Sequence, residues 1–141
     1  MAPLLVLLTV FVVLVLPLGW WTALRIGLAA MFLLGASAHW GKRRPDLIRM
    51  IPQALPRADL LVTFTGICEV LGAIGLLIPR FATFAAAGLV LLLLAIFPAN
   101  IRAAREGIAI GGRPATPLLK RAIIQVVFRT ATIGVIAGAR N

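Results

Sequence analysis

Five apolar runs dominate the sequence, and their lengths restrict the fold more than any other feature. They cover residues 3–18, 21–39, 60–78, 81–100 and 118–137. A helix needs about 20 residues to cross the hydrocarbon core of a bilayer, within a range of roughly 17 to 25. The last four runs meet this length, whereas the first is marginal. The sequence therefore predicts one all-α integral membrane domain, a compact four-helix transmembrane bundle with an added N-terminal transmembrane segment.

The composition supports a lipid-solvated chain. Hydrophobic residues make up 62% of the 141 residues, and charged residues only 13%. Soluble domains are about half apolar and about a quarter charged. The excess apolar surface is best accounted for by contact with lipid.

The first two runs are separated by the segment "LPLGWW", residues 16–21. Pro17 and Gly19 disfavour a continuous helix, and Trp20 and Trp21 suit a membrane interface. We therefore expect a tight hairpin between two spans. A cleaved signal peptide is the first alternative, but the N-terminus has no Lys or Arg before the apolar run and no small-residue cleavage site after it. One long kinked helix is the second.

The positive charges indicate the orientation. The net charge is +10, and ten of the fourteen Lys and Arg residues lie in or beside two loops, 40–59 and 101–117: Lys42, Arg43, Arg44, Arg49, Arg57, Arg102, Arg105, Arg113, Lys120 and Arg121. Loops rich in Lys and Arg stay on the cytoplasmic side. We expect five spans in a bacterial inner membrane, with the N-terminus inside and the C-terminus outside. This placement favours membrane lipids, and not nucleic acid, as the partner of the basic residues.

The first basic loop contains the segment "DLIRMIPQALPRAD", in which apolar residues alternate with Asp46 and Arg49. Two interpretations have equal weight. The segment forms a short amphipathic or partly re-entrant turn at the membrane surface, or it is a solvated loop.

Glu69 is the acid nearest the middle of an apolar run, and Arg129 occupies an equivalent depth in the last run. A lone charge at the centre of a spanning helix costs roughly 2.5–3.5 kcal/mol on insertion scales, and an opposite charge offsets part of that cost. We therefore predict that Glu69 pairs with Arg129. The alternative is that Glu69 stays protonated, because hydrocarbon disfavours its charged form. Either state permits a structural role in locking the helices or a functional role in holding a ligand or a proton.

Four further polar residues are candidates for the same site. Gln125 recurs at helical spacing with Arg129, and Arg25 either extends outward to the interface or joins the pair. His39 and Asn100 end their runs, Asn100 after Pro98. The full candidate set for ligand binding or proton relay is Glu69, Arg129, Gln125, Arg25, His39 and Asn100.

The sequence predicts no metal site and no intrinsic cofactor. The chain has one His and one Cys, which is too few for a zinc site, a bis-histidine haem or an iron–sulfur cluster. We interpret Cys68 as a small buried hydrophobe, with a redox role as the alternative.

Four segments together are similar to the DoxX and DoxX-like family of small bacterial membrane proteins, over residues 24–127. They are "LRIGLAAMFLLGASAHW", "LLVTFTGICEVLGAIGLLIP", "LVLLLLAIFPANI" and "LLKRAIIQVVF". The resemblance implies a four-helix membrane bundle. It also implies that Glu69, Pro98 and Asn100 match positions of the family's motifs. Many relatives have a Lys where this chain has His39. The family is named for a subunit associated with thiosulfate:quinone oxidoreductase.

Three functions are compatible with these features. The first is an accessory subunit of a membrane redox system that binds a quinone or another amphipathic small molecule inside the bundle, with electrons supplied by a redox partner protein. The second is a non-enzymatic factor that binds lipid or protein and assists assembly, including as a homo-oligomer. The third, ranked lowest, is a small transporter. The sequence contains no self-sufficient catalytic constellation, so it does not decide whether the protein is an enzyme.

Overall fold

The computed structural model describes residues 2–112 and 117–138, and all regular elements in these ranges are helices. In chain order they are α1 (Ala2–Leu18), α2 (Trp20–Ser37), α3 (Arg44–Met50), α4 (Ala58–Leu77), a 3-10 turn (Pro79–Phe81), α5 (Ala82–Ala95), α6 (Phe97–Arg105) and α7 (Leu118–Gly138). This confirms the all-α prediction.

Four helical stretches of the described chain are long and apolar enough to cross a membrane. They are Trp20–Ser37, Ala58–Leu77, Pro79–Arg105 and Leu118–Gly138. The first apolar run forms α1, which has only 17 residues. Four of the five predicted spans therefore have the required length, and a fifth span stays a prediction, as does the orientation.

The helices α2, α4, α5 and α7 form a four-helix bundle in which each helix packs against the next and α7 returns to α2. As a result α4 and α7 occupy opposite corners of the bundle. The core between the helices is apolar and includes Leu28, Leu76, Leu89 and Val135, each 0–1% exposed. The polar groups of the site must therefore be brought together by neighbours around this ring.

The helix α1 lies outside the four-helix ring and packs antiparallel on α2. The chain reverses at Gly19, whose φ of 76° lies in the region that favours glycine. Pro3 near the start of α1 lines the same cavity as Gly35 near the end of α2, as expected for a hairpin. The predicted hairpin is therefore present, although its first arm is short.

The fourth apolar run is broken into two helices at Ile96, two residues before Pro98. Proline has no N–H to donate and its ring crowds the preceding turn, so a helix cannot pass it undisturbed. The second piece, α6, continues to Arg105. The predicted loop 101–117 thus begins with helix.

The basic loops fold onto the end of the bundle. Met50 of α3 is buried against Ala99 and Ala103 of α6. Asp46 accepts hydrogen bonds from the Gly111 backbone N–H (2.7 Å) and from Arg49, and these two bonds lower the pKa of its carboxyl. Residues 44–50 therefore form a short helix packed on α6, and a position at the membrane surface stays a prediction.

Candidate functional site

Glu69 pairs with His39, and the predicted pair with Arg129 is wrong. His39 Nε2 lies 3.7 Å from Glu69 Oε1, and both residues are buried, with 9% and 8% exposure. His39 follows the end of α2, which packs directly against α4. Because α4 and α7 lie diagonally opposite, the acid faces its neighbour α2.

Arg129 lies on the edge of the buried face of α7. That face carries Gln125, Thr132 and Val135, and Arg129 is only half-buried. Its Nε donates to the Gln125 backbone carbonyl (3.4 Å), and its guanidinium stacks over the Phe97 ring at 5.6 Å. The equivalent depth of Glu69 and Arg129 in their apolar runs therefore does not bring the two side chains together.

The acid lies near the middle of α4 but close to the basic end of α2. Its partner His39 is two residues beyond Ser37, the last residue of α2, whereas α4 begins eleven residues before Glu69 at Ala58. The first turns of α4 extend past α2 toward the basic loops. The site therefore lies toward the basic end of the bundle.

The hydrogen bonds of His39 define its tautomer. Nδ1 lies 2.6 Å from the Val62 carbonyl oxygen, which can only accept, so Nδ1 carries a proton. The remaining ring nitrogen, Nε2, faces Glu69. One proton therefore decides the state of the pair: on Nε2 it makes an ion pair, and on Glu69 it makes two neutral groups.

A cavity of about 330 Å³ lies beside this pair. Residues of α1, α2, α4, α5, α6 and α7 line it, together with Ile96 between α5 and α6 and Ile110 in the loop after α6. Its polar lining residues are Glu69, Asn100, Arg121 and Gln125, and its apolar walls include Met31, Phe32, Leu93, Ile96, Ile124 and Phe128. The cavity combines a short polar strip with apolar walls, which is the usual composition of a small-molecule site.

The second oxygen of Glu69 has no hydrogen-bond partner. Among the described residues, Oε2 is the one buried side-chain nitrogen or oxygen atom without a partner. It lies against Gly35, which also lines the cavity. A buried polar atom left unpaired costs free energy. A hydrogen bond from a ligand to this oxygen would therefore be stabilising.

The other polar lining residues form a connected ladder. Arg121 donates to Asn100 Oδ1 (3.2 Å), and Asn100 Nδ2 donates to Gln125 Oε1 (3.3 Å). Gln125 Nε2 donates in turn to the carbonyl oxygen of Leu93, which lies in the last turn of α5. Each amide nitrogen has two N–H groups and uses one in this ladder, so each has a second N–H to offer.

Arg25 lies at the opposite end of the bundle from the candidate site. It is 4% exposed, and its guanidinium donates to the carbonyl oxygens of Leu76 (2.7 Å) and Leu77 (2.9 Å) at the end of α4. The guanidinium also stacks on Trp21 at 4.4 Å. Arg25 therefore caps the end of a neighbouring helix and does not join Glu69, and its extension to the membrane interface stays a prediction.

The structure therefore brings together four of the six predicted residues: Glu69 and His39 as a pair, and Asn100 and Gln125 on the cavity wall with Glu69. Sequence analysis missed Arg121 as a lining residue because it was counted with the loop cations. Its position one helical turn before Gln125 was a usable signal. No sequence feature marks Gly35 as a residue that lines the cavity.

Two other features lie outside this site. Cys68 lines a separate apolar groove between α4 and α5. Within residues 2–112 and 117–138, His, Cys, Asp and Glu side chains form no group of three that could hold a metal ion. The cavity is therefore the candidate site, and its chemistry is that of an acid, a histidine and a ladder of hydrogen-bond donors.

The bundle and its cavity fall within one sequence family. No curated protein and no solved structure matches the chain. The model of a family described as a domain of unknown function, DUF8561, matches residues 28–135. This range includes every cavity-lining residue except Pro3 and every predicted site residue except Arg25. The chain therefore belongs to the DUF8561 family.

Proposed function

We propose that this chain is a DoxX-like accessory subunit of a membrane redox system and that it binds a quinone or a similar amphipathic molecule inside the bundle. The observation that carries the proposal is that Glu69, whose buried Oε2 has no hydrogen-bond partner, lines a cavity with apolar sides. The resemblance of residues 24–127 to the DoxX-like family is part of the same proposal.

The lining chemistry suits a quinone headgroup. Quinone oxygens accept hydrogen bonds, and the second N–H groups of Asn100 and Gln125 can supply them. The flat apolar ring would lie among Met31, Phe32 and Phe128. The cavity volume of about 330 Å³ is at the lower end of the range for small-molecule sites, about 300–1,000 Å³. This size favours binding of the headgroup, with any long tail extending out between helices.

Electrons come from a redox partner protein in this proposal. The chain has one His and one Cys, which cannot supply the ligands of a bis-histidine haem or an iron–sulfur cluster. Glu69 and His39 would hold one proton beside the headgroup, and the amide ladder would orient the headgroup.

Quinone retention tests the proposal. We expect quinone to co-purify with the wild-type protein in mild detergent, measured by lipid extraction and mass spectrometry. Glu69→Gln and Gln125→Leu should each lower retention about tenfold, because a lost hydrogen bond of about 1.4 kcal/mol changes Kd by that factor.

Arg129→Gln is the matched control, because it removes a charge from α7 without altering a lining residue. It should retain quinone as the wild type does. Equal quinone content in all four proteins, each folded by circular dichroism, would contradict the proposal.

The location and orientation form part of the same proposal: a bacterial inner membrane, five spans including α1, and the basic loops in the cytoplasm. The support is that ten of the fourteen Lys and Arg residues lie in the chain between α2 and α4 or from the end of α6 to the start of α7. Alkaline phosphatase fused after the C-terminus should be active, and the same enzyme inserted in the loop 51–57 inactive. The reverse pattern would overturn the orientation.

One observation favours the alternative of a lipid-binding or assembly factor. An apolar groove of about 510 Å³ runs between α4 and α5, beside the exposed side chains of Phe64 and Leu91. It includes Gly72, Ala85 and Gly88, and small residues allow close helix contact between chains. Retention of phospholipid in place of quinone, unaffected by Glu69→Gln, would support this alternative.

A further inference from the structure

The geometry of His39 and Glu69 leads to a specific inference about the ligand. We propose that these two residues share one exchangeable proton, so that the cavity binds both a quinone and the corresponding quinol. The inference rests on the proposed function for the identity of the ligand. The position of the proton itself can be measured on the protein alone.

The first step is the fixed proton on Nδ1. The Val62 carbonyl at 2.6 Å requires a donor, so His39 keeps its Nδ1–H in every state. Rotation of the ring is restricted because His39 is buried, 9% exposed, and Nε2 is directed at Glu69. The pair is therefore left with a single proton that can change position.

The second step concerns the total charge. With the proton on His39 Nε2 the pair consists of a cation and an anion, and with the proton on Glu69 both groups are neutral. The sum is zero in both cases, so moving the proton does not leave an uncompensated charge in a buried site, which would be costly. The separation of 3.7 Å between Nε2 and Oε1 is longer than a hydrogen bond, so the pair is not locked in either state.

The third step links the proton to the ligand. When Glu69 carries the proton, its Oε2 can donate a hydrogen bond to a quinone carbonyl. When His39 carries it, the Oε2 of the carboxylate accepts a hydrogen bond from a quinol hydroxyl. Only a proton moves between Glu69 and Nε2, and the ligand is neutral in both complexes. Glu69 thus contacts the ligand and His39 is a positioning residue that stores the proton.

His39 makes the test simple, because it is the only histidine in the chain. Selective ¹⁵N-histidine labelling gives one imidazole with two nitrogen signals that report protonation directly. We expect Nδ1 to be protonated without ligand, with decylubiquinone and with decylubiquinol. We expect Nε2 to be protonated with the quinol and unprotonated with the quinone.

Two variants separate this role from a structural one. In Glu69→Gln the amide side chain can donate to Nε2, so His39 should stay neutral with Nε2 unprotonated whichever probe is added. Arg129→Gln should reproduce the wild-type spectra, since Arg129 contacts neither residue of the pair.

The outcomes distinguish the two proposals. An unprotonated Nδ1 would overturn the shared-proton inference whatever binds. If both probes are retained by mass spectrometry but Nε2 does not change, the inference fails and the proposed function stands. If neither probe is retained, the proposed function fails and this inference fails with it.

Discussion

Arg25→Met is expected to lower the free energy of unfolding by about 2 kcal/mol, taking about 1 kcal/mol for each of two interhelical hydrogen bonds in a membrane protein. The two bonds hold the carbonyl oxygens of Leu76 and Leu77 at the end of α4. The variant leaves both carbonyls without their donor and removes the stacking on Trp21.

A competing effect acts in the opposite direction. Removing a buried charge can stabilise a protein, because charges are expensive to desolvate. Arg25, however, lies in the second turn of α2, near the end of the span, where that cost is smaller than the 2.5–3.5 kcal/mol found at a helix centre. We therefore expect the loss of the two hydrogen bonds to dominate.

The measurement is an SDS titration in mixed micelles followed by circular dichroism. Arg80→Met is the matched control at the same end of the bundle, because Arg80 is exposed and, among the described residues, stacks on Phe81 alone. The control should change the free energy of unfolding by less than about 0.5 kcal/mol. Arg25→Lys should fall between the two, since an amine can reach one carbonyl more easily than both. An Arg25→Met variant as stable as the wild type would contradict the capping role.

The sequence predicted the number and approximate bounds of the bundle helices because length and apolar content depend on the bilayer alone. The helical spacing of polar residues such as Gln125 and Arg129 indicated a buried face, but the apolar residues alone did not. Helices in lipid carry large apolar side chains on both faces, as the exposure of Phe84 (78%) and Leu91 (67%) on α5 illustrates. Hydrophobic periodicity identifies the buried face of a helix in soluble proteins, but it does not do so for helices surrounded by lipid.

The polar residues were located better than their partners. Glu69, Gln125 and Arg25 are all buried, as the cost of polar groups in lipid requires. Their partners depend on the order of helices around the bundle, which one sequence does not reveal, and α4 and α7 turned out to be diagonal. The partners of Arg25 are backbone carbonyls, which every residue possesses, so no sequence pattern could have identified them.

Gly66→Ala is expected to lower both the free energy of unfolding and the retention of quinone. An added Cβ at Gly66 would lie 2.8 Å from His39 Cβ and Cγ and 2.9 Å from Trp40 Cη2. Non-bonded carbon atoms do not approach this closely. The Cβ of His39 is attached to the backbone, so it cannot move away by a side-chain rotation. The turn after α2 must therefore move away from α4, at a cost of about 1–3 kcal/mol, as for other overpacked sites.

The same movement should separate His39 from Glu69 without changing either residue. We therefore expect Gly66→Ala to lose co-purified quinone as Glu69→Gln does, measured by lipid extraction and mass spectrometry, and to unfold at lower SDS concentration. Gly88→Ala is the matched control, because a Cβ there meets nothing within 4 Å. It should leave quinone retention unchanged and add about 0.5–1 kcal/mol of stability through its lower conformational entropy when unfolded. A folded Gly66→Ala protein that retains quinone would show that close contact between α4 and the His39 turn is not needed for binding.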